Sequence, residues 1–218
     1  MNFLSFRKKD IILIALFYLI NFGLWELIAP IVSDSWASFL VYLLLFIVVL
    51  ILFKKELIVE LQKFLQAKLR DKNYYMSLLF WLGLNLIIGS ILVLIVTKWN
   101  LNILPENSEN VKEQISAIPT FLAVIQGCIF TPIIEEMTFR YAMIKESKNV
   151  YLYILSIVVS IVLFDWIHIV RAPEFFYYLV PATVLTMFYV KNKNVWASIM
   201  LHSLINIVGY TLMIFSMI

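Results

Sequence analysis

Pro132-Ile133-Ile134-Glu135-Glu136-Met137-Thr138-Phe139-Arg140 sets two adjacent carboxylates and an arginine inside a run of otherwise hydrocarbon side chains. Phe121-Leu122-Ala123-Val124-Ile125 lies upstream and Tyr141-Ala142-Met143-Ile144 downstream. A charge at the centre of a bilayer costs at least ~2.5–3.5 kcal/mol, so this grouping needs a reason. On a helix, Glu136 and Arg140 are four apart and can pair on one face. Glu135 is rotated by about 100° from Glu136, so the two carboxylates cannot point at one spot. One glutamate is therefore free for chemistry while the arginine holds the other. Pro132 removes one backbone hydrogen bond and can kink the helix just before them.

Working outward, the chain of 218 residues is 63% hydrophobic and 14% charged, with a formal charge of +3. Soluble domains are roughly half apolar and a quarter charged. The apolar excess lies in long runs, which predicts an all-α polytopic transmembrane helical bundle. Seven spans are expected, at about 11–29, 36–53, 76–97, 120–144, 150–170, 174–190 and 195–217. The first follows Arg7-Lys8-Lys9 and runs to Ala29 with no small-x-small cleavage site, so it reads as an uncleaved span. Between the second and third spans, Leu57, Ile58, Leu61, Phe64 and Leu65 interleave with Lys55, Glu60, Lys63 and Lys68. That spacing predicts one amphipathic surface helix within 54–72. Residues 98–119, with Pro105, Asn107 and Ser108, read as a polar loop. No internal repeat is visible, and 1–218 reads as a single integral membrane domain with its motif-bearing core at about 120–210.

The cations are spread over short loops and imply no nucleic-acid partner. Their distribution orients the chain. An N-terminus inside puts thirteen Lys and Arg on inner segments against three outside (Lys98, Lys112, Arg171), predicting a cytoplasmic N-terminus and an extracytoplasmic C-terminus. The single cysteine, Cys128, cannot form an intramolecular disulfide and reads as packing.

Both histidines of the chain fall within expected spans. His168 ends Phe164-Asp165-Trp166-Ile167-His168, and His202 opens His202-Ser203-Leu204-Ile205-Asn206. His202 and Asn206, four apart, share a helix face. A neutral imidazole can accept a proton or bind a metal, and an amide can donate to a developing oxyanion. A carboxylate, two imidazoles and an amide suffice to activate water against a carbonyl. The bland reading, helix–helix hydrogen bonds and structural ion pairs, stands beside this one for each motif taken singly. Asn21, Glu26, Asn85 and Gln126 read as interhelical hydrogen-bonding groups, and Trp81, Trp99 and Trp196 as interfacial anchors or core.

Taken in order, Glu135-Glu136-x-x-x-Arg140, Phe164-x-x-x-His168 and His202-x-x-x-Asn206 resemble the CPBP family of CAAX proteases and bacteriocin-processing proteins, also called the Abi family. The resemblance covers residues 120–210 and is closest to the small bacterial members. It implies an intramembrane endopeptidase acting on a peptide or membrane-anchored protein substrate. Glu135 would activate water, His168 and His202 would assist, Asn206 would help hold the oxyanion, and Glu136 and Arg140 would orient the site. A role in bacteriocin self-immunity or peptide processing also follows from the resemblance. The cofactor stays open: Glu135, His168 and His202 could make a zinc site, and a metal-free glutamate mechanism fits equally. The chain departs from the family at Tyr141, where glycine is common, and at Asp165, which could hydrogen-bond His168 or add an ionisable group. The alternative function is a non-catalytic membrane immunity or scaffold protein that binds its target; a small transporter is a weaker third.

Residue counting sets one further condition. His202 lies ~10 Å past the inner loop and His168 ~6 Å before the outer one. In a ~30 Å bilayer a shared site then needs a tilted or broken helix, or a dipping loop at 171–174.

Overall fold

A computed structural model describes residues 6–98, 106–171 and 174–217. Among them are eight helices and no strand: α1 Lys8–Val32, α2 Asp34–Ala67, α3 Lys72–Lys98, α4 Glu106–Ala117, α5 Thr120–Ala142, α6 Val150–Trp166, α7 Phe175–Asn192 and α8 Val195–Ser216. The chain is an all-α multi-pass membrane protein.

The burial pattern follows the membrane setting. Along α2 the buried stripe is Val41, Leu45, Val49, Phe53, Leu57 and Phe64, while Leu44, Ile51 and Ile58 face outward. Large apolar side chains stay exposed on the outer faces of other helices too, such as Leu27, Phe80 and Tyr151. Hydrocarbon takes the place of a polar surface there. The inner stripe of α2 packs in one core with Leu13 and Phe17 of α1, Ile134 and Phe139 of α5, Phe164 of α6, Phe188 of α7 and Leu201 of α8.

Three expectations are revised. The surface helix expected within 54–72 is the continuation of α2, which runs unbroken for 34 residues. No glycine or proline interrupts 34–67, and Leu57 and Phe64 stay on the same buried stripe, so the helix has no reason to bend away. At 1.5 Å per residue it is about 51 Å long, well beyond a ~30 Å hydrocarbon layer. The segment read as a polar loop at 98–119 contains α4; Trp99 and Pro105 lie outside the described residues. This helix docks through Val111 and Ile115, joined by Ile118 just past its end, and Gln114 donates to Gln126 of α5 at 2.7 Å. Gln126 in turn donates to Ser38 of α2 at 3.0 Å, an interhelical chain of the kind expected for that residue.

The third revision concerns the seven spans. Five helices among the described residues are long and apolar enough to cross a membrane: α1, α2, α3, α5 and α8. The other two segments fold as the shorter α6 and α7, of 17 and 18 residues, or about 25–27 Å. Helix α6 stops at Trp166, and the Val170 amide donates to Glu174 Oε2 at 3.0 Å across the turn. His168 thus sits in the connection between two short helices. This early turn removes the depth mismatch between the two histidines, because the chain reverses at the level of Glu135.

Helix α5 owes its shape to Pro132. Two π-helical segments, Gln126–Phe130 and Glu136–Ala142, flank a short α-helical stretch at Thr131–Glu135. A proline ring clashes with the carbonyl four residues back, and the wider π turn before it relieves that clash. Gly127, in the first π segment, lets α8 approach closely: a Cβ there would fall 2.2 Å from the Tyr210 ring.

Candidate active site

Glu135, Glu136 and Arg140 are all fully buried on the two turns that follow Pro132. Glu135 faces two imidazoles at once. Its Oε1 lies 3.9 Å from His168 Nε2 and its Oε2 lies 3.8 Å from His202 Nε2. These separations exceed a hydrogen bond and are short enough for one water to touch both groups. Neither oxygen of Glu135 has a hydrogen-bond partner among the described residues.

The tautomers of both rings follow from their second nitrogens. His168 Nδ1 lies 2.8 Å from the Phe164 carbonyl, and His202 Nδ1 lies 3.0 Å from Glu136 Oε1. A carbonyl and a carboxylate only accept, so each Nδ1 carries the proton and donates. Each Nε2 is then directed at Glu135. The two carboxylates, rotated apart on the helix as expected, meet opposite edges of one ring, that of His202.

Glu136 also holds Arg140, whose Nη1 lies 3.3 Å from Glu136 Oε1. This is an ion-pair distance without hydrogen-bond alignment. Arg140 Nη2 donates to the Ala182 carbonyl of α7 at 3.3 Å, and the guanidinium lies 4.0 Å over the Phe164 ring. A buried cation is tolerable only with partners of this kind. Phe164 is the hub of the site, since its ring also packs at 4.8 Å from His168 and 5.9 Å from His202. Ser160, one turn earlier, ties α6 to α5 by donating to the Phe139 carbonyl at 2.5 Å.

Asn206 lies one turn beyond His202 and donates to the Gly127 carbonyl at 2.7 Å. One of its two amide hydrogens is therefore spent on joining α8 to α5. Asp165 does not hydrogen-bond His168: neither of its oxygens has a partner among the described residues. Tyr178 of α7 stacks on the His168 ring at 5.3 Å with an interplanar angle of 28°. The sequence gives no signal for Tyr178, one of eleven tyrosines, because only the α6–α7 turn brings it to the histidine.

Two imidazoles and a carboxylate are donors that zinc accepts, but their spacing does not fit. Bonds of ~2.0–2.1 Å place neighbouring ligands of a tetrahedral ion about 3.3 Å apart. Glu135 stands further than that from each ring, and no trio of His, Cys, Asp or Glu among the described residues is arranged to hold a metal.

Residues 117–208, which contain all six of these side chains, match the family described as type II CAAX prenyl endopeptidase Rce1-like. This likeness agrees with the family that the three motifs resemble. Among curated proteins, UPF0177 protein YaiH of Lactococcus lactis subsp. lactis (strain IL1403) is 32% identical over 95 residues, covering 44% of this chain and 39% of its own. UPF0177 protein YbdJ of the same strain is 28% identical over 141 residues, covering 64% of this chain and 61% of its own. The chain thus spans between two fifths and three fifths of the length of these relatives. No solved structure matches it.

Proposed function

We propose that the protein is a glutamate-dependent intramembrane endopeptidase whose substrate is a peptide or a membrane-associated protein. The observation that carries this reading is the placement of two imidazole Nε2 atoms, 3.9 and 3.8 Å away, on the two oxygens of one buried carboxylate. Such a gap seats a water that touches base and imidazole together. Glu135 takes a proton from that water as its oxygen bonds to the scissile carbonyl carbon. The carbonyl oxygen becomes an oxyanion, and the free amide hydrogen of Asn206 serves as its donor. When the C–N bond breaks, the proton moves to the departing amine through Glu135 or an imidazole Nε2. Glu136 fixes the His202 ring through Nδ1, and Arg140 balances the charge of Glu136. Proton transfer by positioned groups of this kind contributes about 10²–10⁴-fold.

The test is cleavage of a peptide substrate by the purified protein in liposomes. His168→Ala and His202→Ala each remove most of the rate. Their double variant is little worse than either alone, because groups acting as a unit are not additive. A chelator leaves the wild-type rate unchanged. Loss of activity with chelator and its return with zinc would replace the glutamate reading by a metal one, and full activity of both alanine variants would end it.

We further propose that the N-terminus is cytoplasmic, on the distribution of loop cations. Cysteines introduced at 72 and 109 in a Cys128→Ser background distinguish the two orientations. An impermeant reagent added from outside labels 109 and not 72; the opposite pattern inverts the assignment.

A further inference from the structure

His168 is the less firmly held of the two imidazoles that face Glu135. It lies past Trp166, the last residue of α6, and its amide donates to the Asp165 carbonyl at 3.0 Å. Among the described residues its ring has one hydrogen bond, from Nδ1 to the Phe164 carbonyl at 2.8 Å, while Nε2 stands 3.9 Å from Glu135. The side chain keeps 19% exposure, against 6% for His202, whose Nδ1 is engaged by a buried carboxylate. The outer torsion of a histidine side chain is broad and roughly two-fold, so one hydrogen bond does not fix the plane of the ring. A half-turn would put Cε1 where Nε2 now faces Glu135 and would take the Nδ1 proton away from the Phe164 carbonyl.

Aromatic packing resists that turn. Phe164, one turn back on α6, lies 4.8 Å from the imidazole at an angle of 38°. Tyr178 comes from the next helix, α7, and stacks nearly parallel to the imidazole, at 5.3 Å and 28°. Both separations fall within the ~4.5–7 Å of attractive ring pairs. Tyr178 is brought here by the α6–α7 turn, which Glu174 fastens. Glu174 is fully buried at the N-cap of α7; its Oε2 accepts from the Val170 amide and its Oε1 from Arg171 Nε, each at 3.0 Å. Tyr178 follows Glu174 by four residues and stands one turn further along the same face of α7.

We propose that Tyr178 is a positioning residue of the active site: its ring fixes the plane of the His168 imidazole and keeps Nε2 aimed at Glu135. Its effect on cleavage rests on the endopeptidase reading, while its effect on the imidazole does not. The flat face of the ring performs this task, so phenylalanine can serve in its place. Leucine, which has bulk but no face, cannot.

The test uses the full-length protein in liposomes with isotope-labelled histidine ring nitrogens. The chain has two histidines, so two pairs of nitrogen resonances are expected, and His168→Gln identifies the pair that belongs to His168. At a pH where both rings are neutral, wild type and Tyr178→Phe show one protonated and one bare nitrogen at His168, the pattern of a single tautomer. In Tyr178→Leu the two resonances move towards their mean as the ring turns and its tautomers exchange, and those of His202 stay in place. In cleavage assays Tyr178→Leu lowers kcat by roughly 10–10²-fold with KM little changed, the scale of a ~1 Å misplacement of a reacting group. Tyr178→Phe recovers most of that rate. Added to His168→Ala, Tyr178→Leu costs little more, because a residue that acts through another is not additive with it. A leucine variant whose His168 resonances match wild type overturns the proposal, and so does one that cleaves at the wild-type rate. Phenylalanine as damaging as leucine would assign the role to the hydroxyl and overturn it as well. If the wild type cleaves nothing, the protease reading alone fails and the His168 resonances decide. A Tyr178→Leu protein that does not fold would mark Tyr178 as structural and end the proposal.

Discussion

Glutamine at position 135 leaves the protein folded and removes cleavage. Glu135 is buried with both oxygens lacking hydrogen bonds, so replacing one oxygen by an amide breaks no bond that holds helices together. It does remove the group proposed to accept a proton from water. The expected loss is of order 10²-fold or more, the usual contribution of a positioned general base. The thermal midpoint in detergent should stay the same or rise, because a buried carboxylate is no longer desolvated. Turnover of a peptide by wild type and variant at equal membrane abundance is the measurement. A Glu135→Gln protein of full activity would leave the family likeness without chemistry and favour a protein that binds its target.

Arg140→Ala acts on the fold first. Arginine is removed from between Glu136, the Ala182 carbonyl and the Phe164 ring, and Glu136 stays behind as a buried charge. Breaking a buried pair on one side typically costs about 3–5 kcal/mol. A matching drop in thermal stability and in yield is expected, with activity lost as Phe164 and the His202 ring lose their support. The Glu136→Gln/Arg140→Ala double variant should recover part of the stability, since glutamine still accepts from His202 Nδ1 and leaves no charge unpaired. If the double variant is as unstable as Arg140→Ala alone, the ion pair is not what Arg140 contributes.

The membrane bundle is legible in the sequence because apolar runs and charges obey a strong one-dimensional rule. The rule is weaker at boundaries. At 54–67, alternating charged and apolar residues suit a helix on the membrane surface and one leaving the membrane equally. What decides is the Leu57–Phe64 stripe, whose partners lie elsewhere in the chain. The segment 106–117 has a polar composition, and its helix shows itself only through Ile115, Ile118 and Gln114, which dock on α5 and its neighbours. Site residues were nominated by their cost in hydrocarbon. That criterion finds Glu135, Glu136, Arg140 and the histidines; Asp165 stands out only as a departure from the family pattern. It does not find Phe164's three-way packing or Tyr178's stacking, because aromatic side chains cost nothing in a membrane. Nor could counting residues show that α6 ends early, which is what lets His168 approach Glu135.

The family match begins at residue 117, yet the site it covers is framed by what precedes it. Helix α2 accepts the Trp196 indole at the Leu57 carbonyl, 2.8 Å away, and the Asn194 amide at the Glu60 carbonyl, 2.9 Å away. Near its other end, Ser38 accepts from Gln126. Phe17 meets Phe139 edge to face at 5.2 Å, directly behind the carboxylates. The N-terminal half, in which no motif is recognisable, therefore works as a mould for the half that carries the three motifs. A fragment cut at the homology boundary would expose Phe139, Ile134 and Leu201 where Phe17, Leu45 and Leu57 now cover the shared core. The stretch that matches the family is thus shorter than the set of helices that share its core.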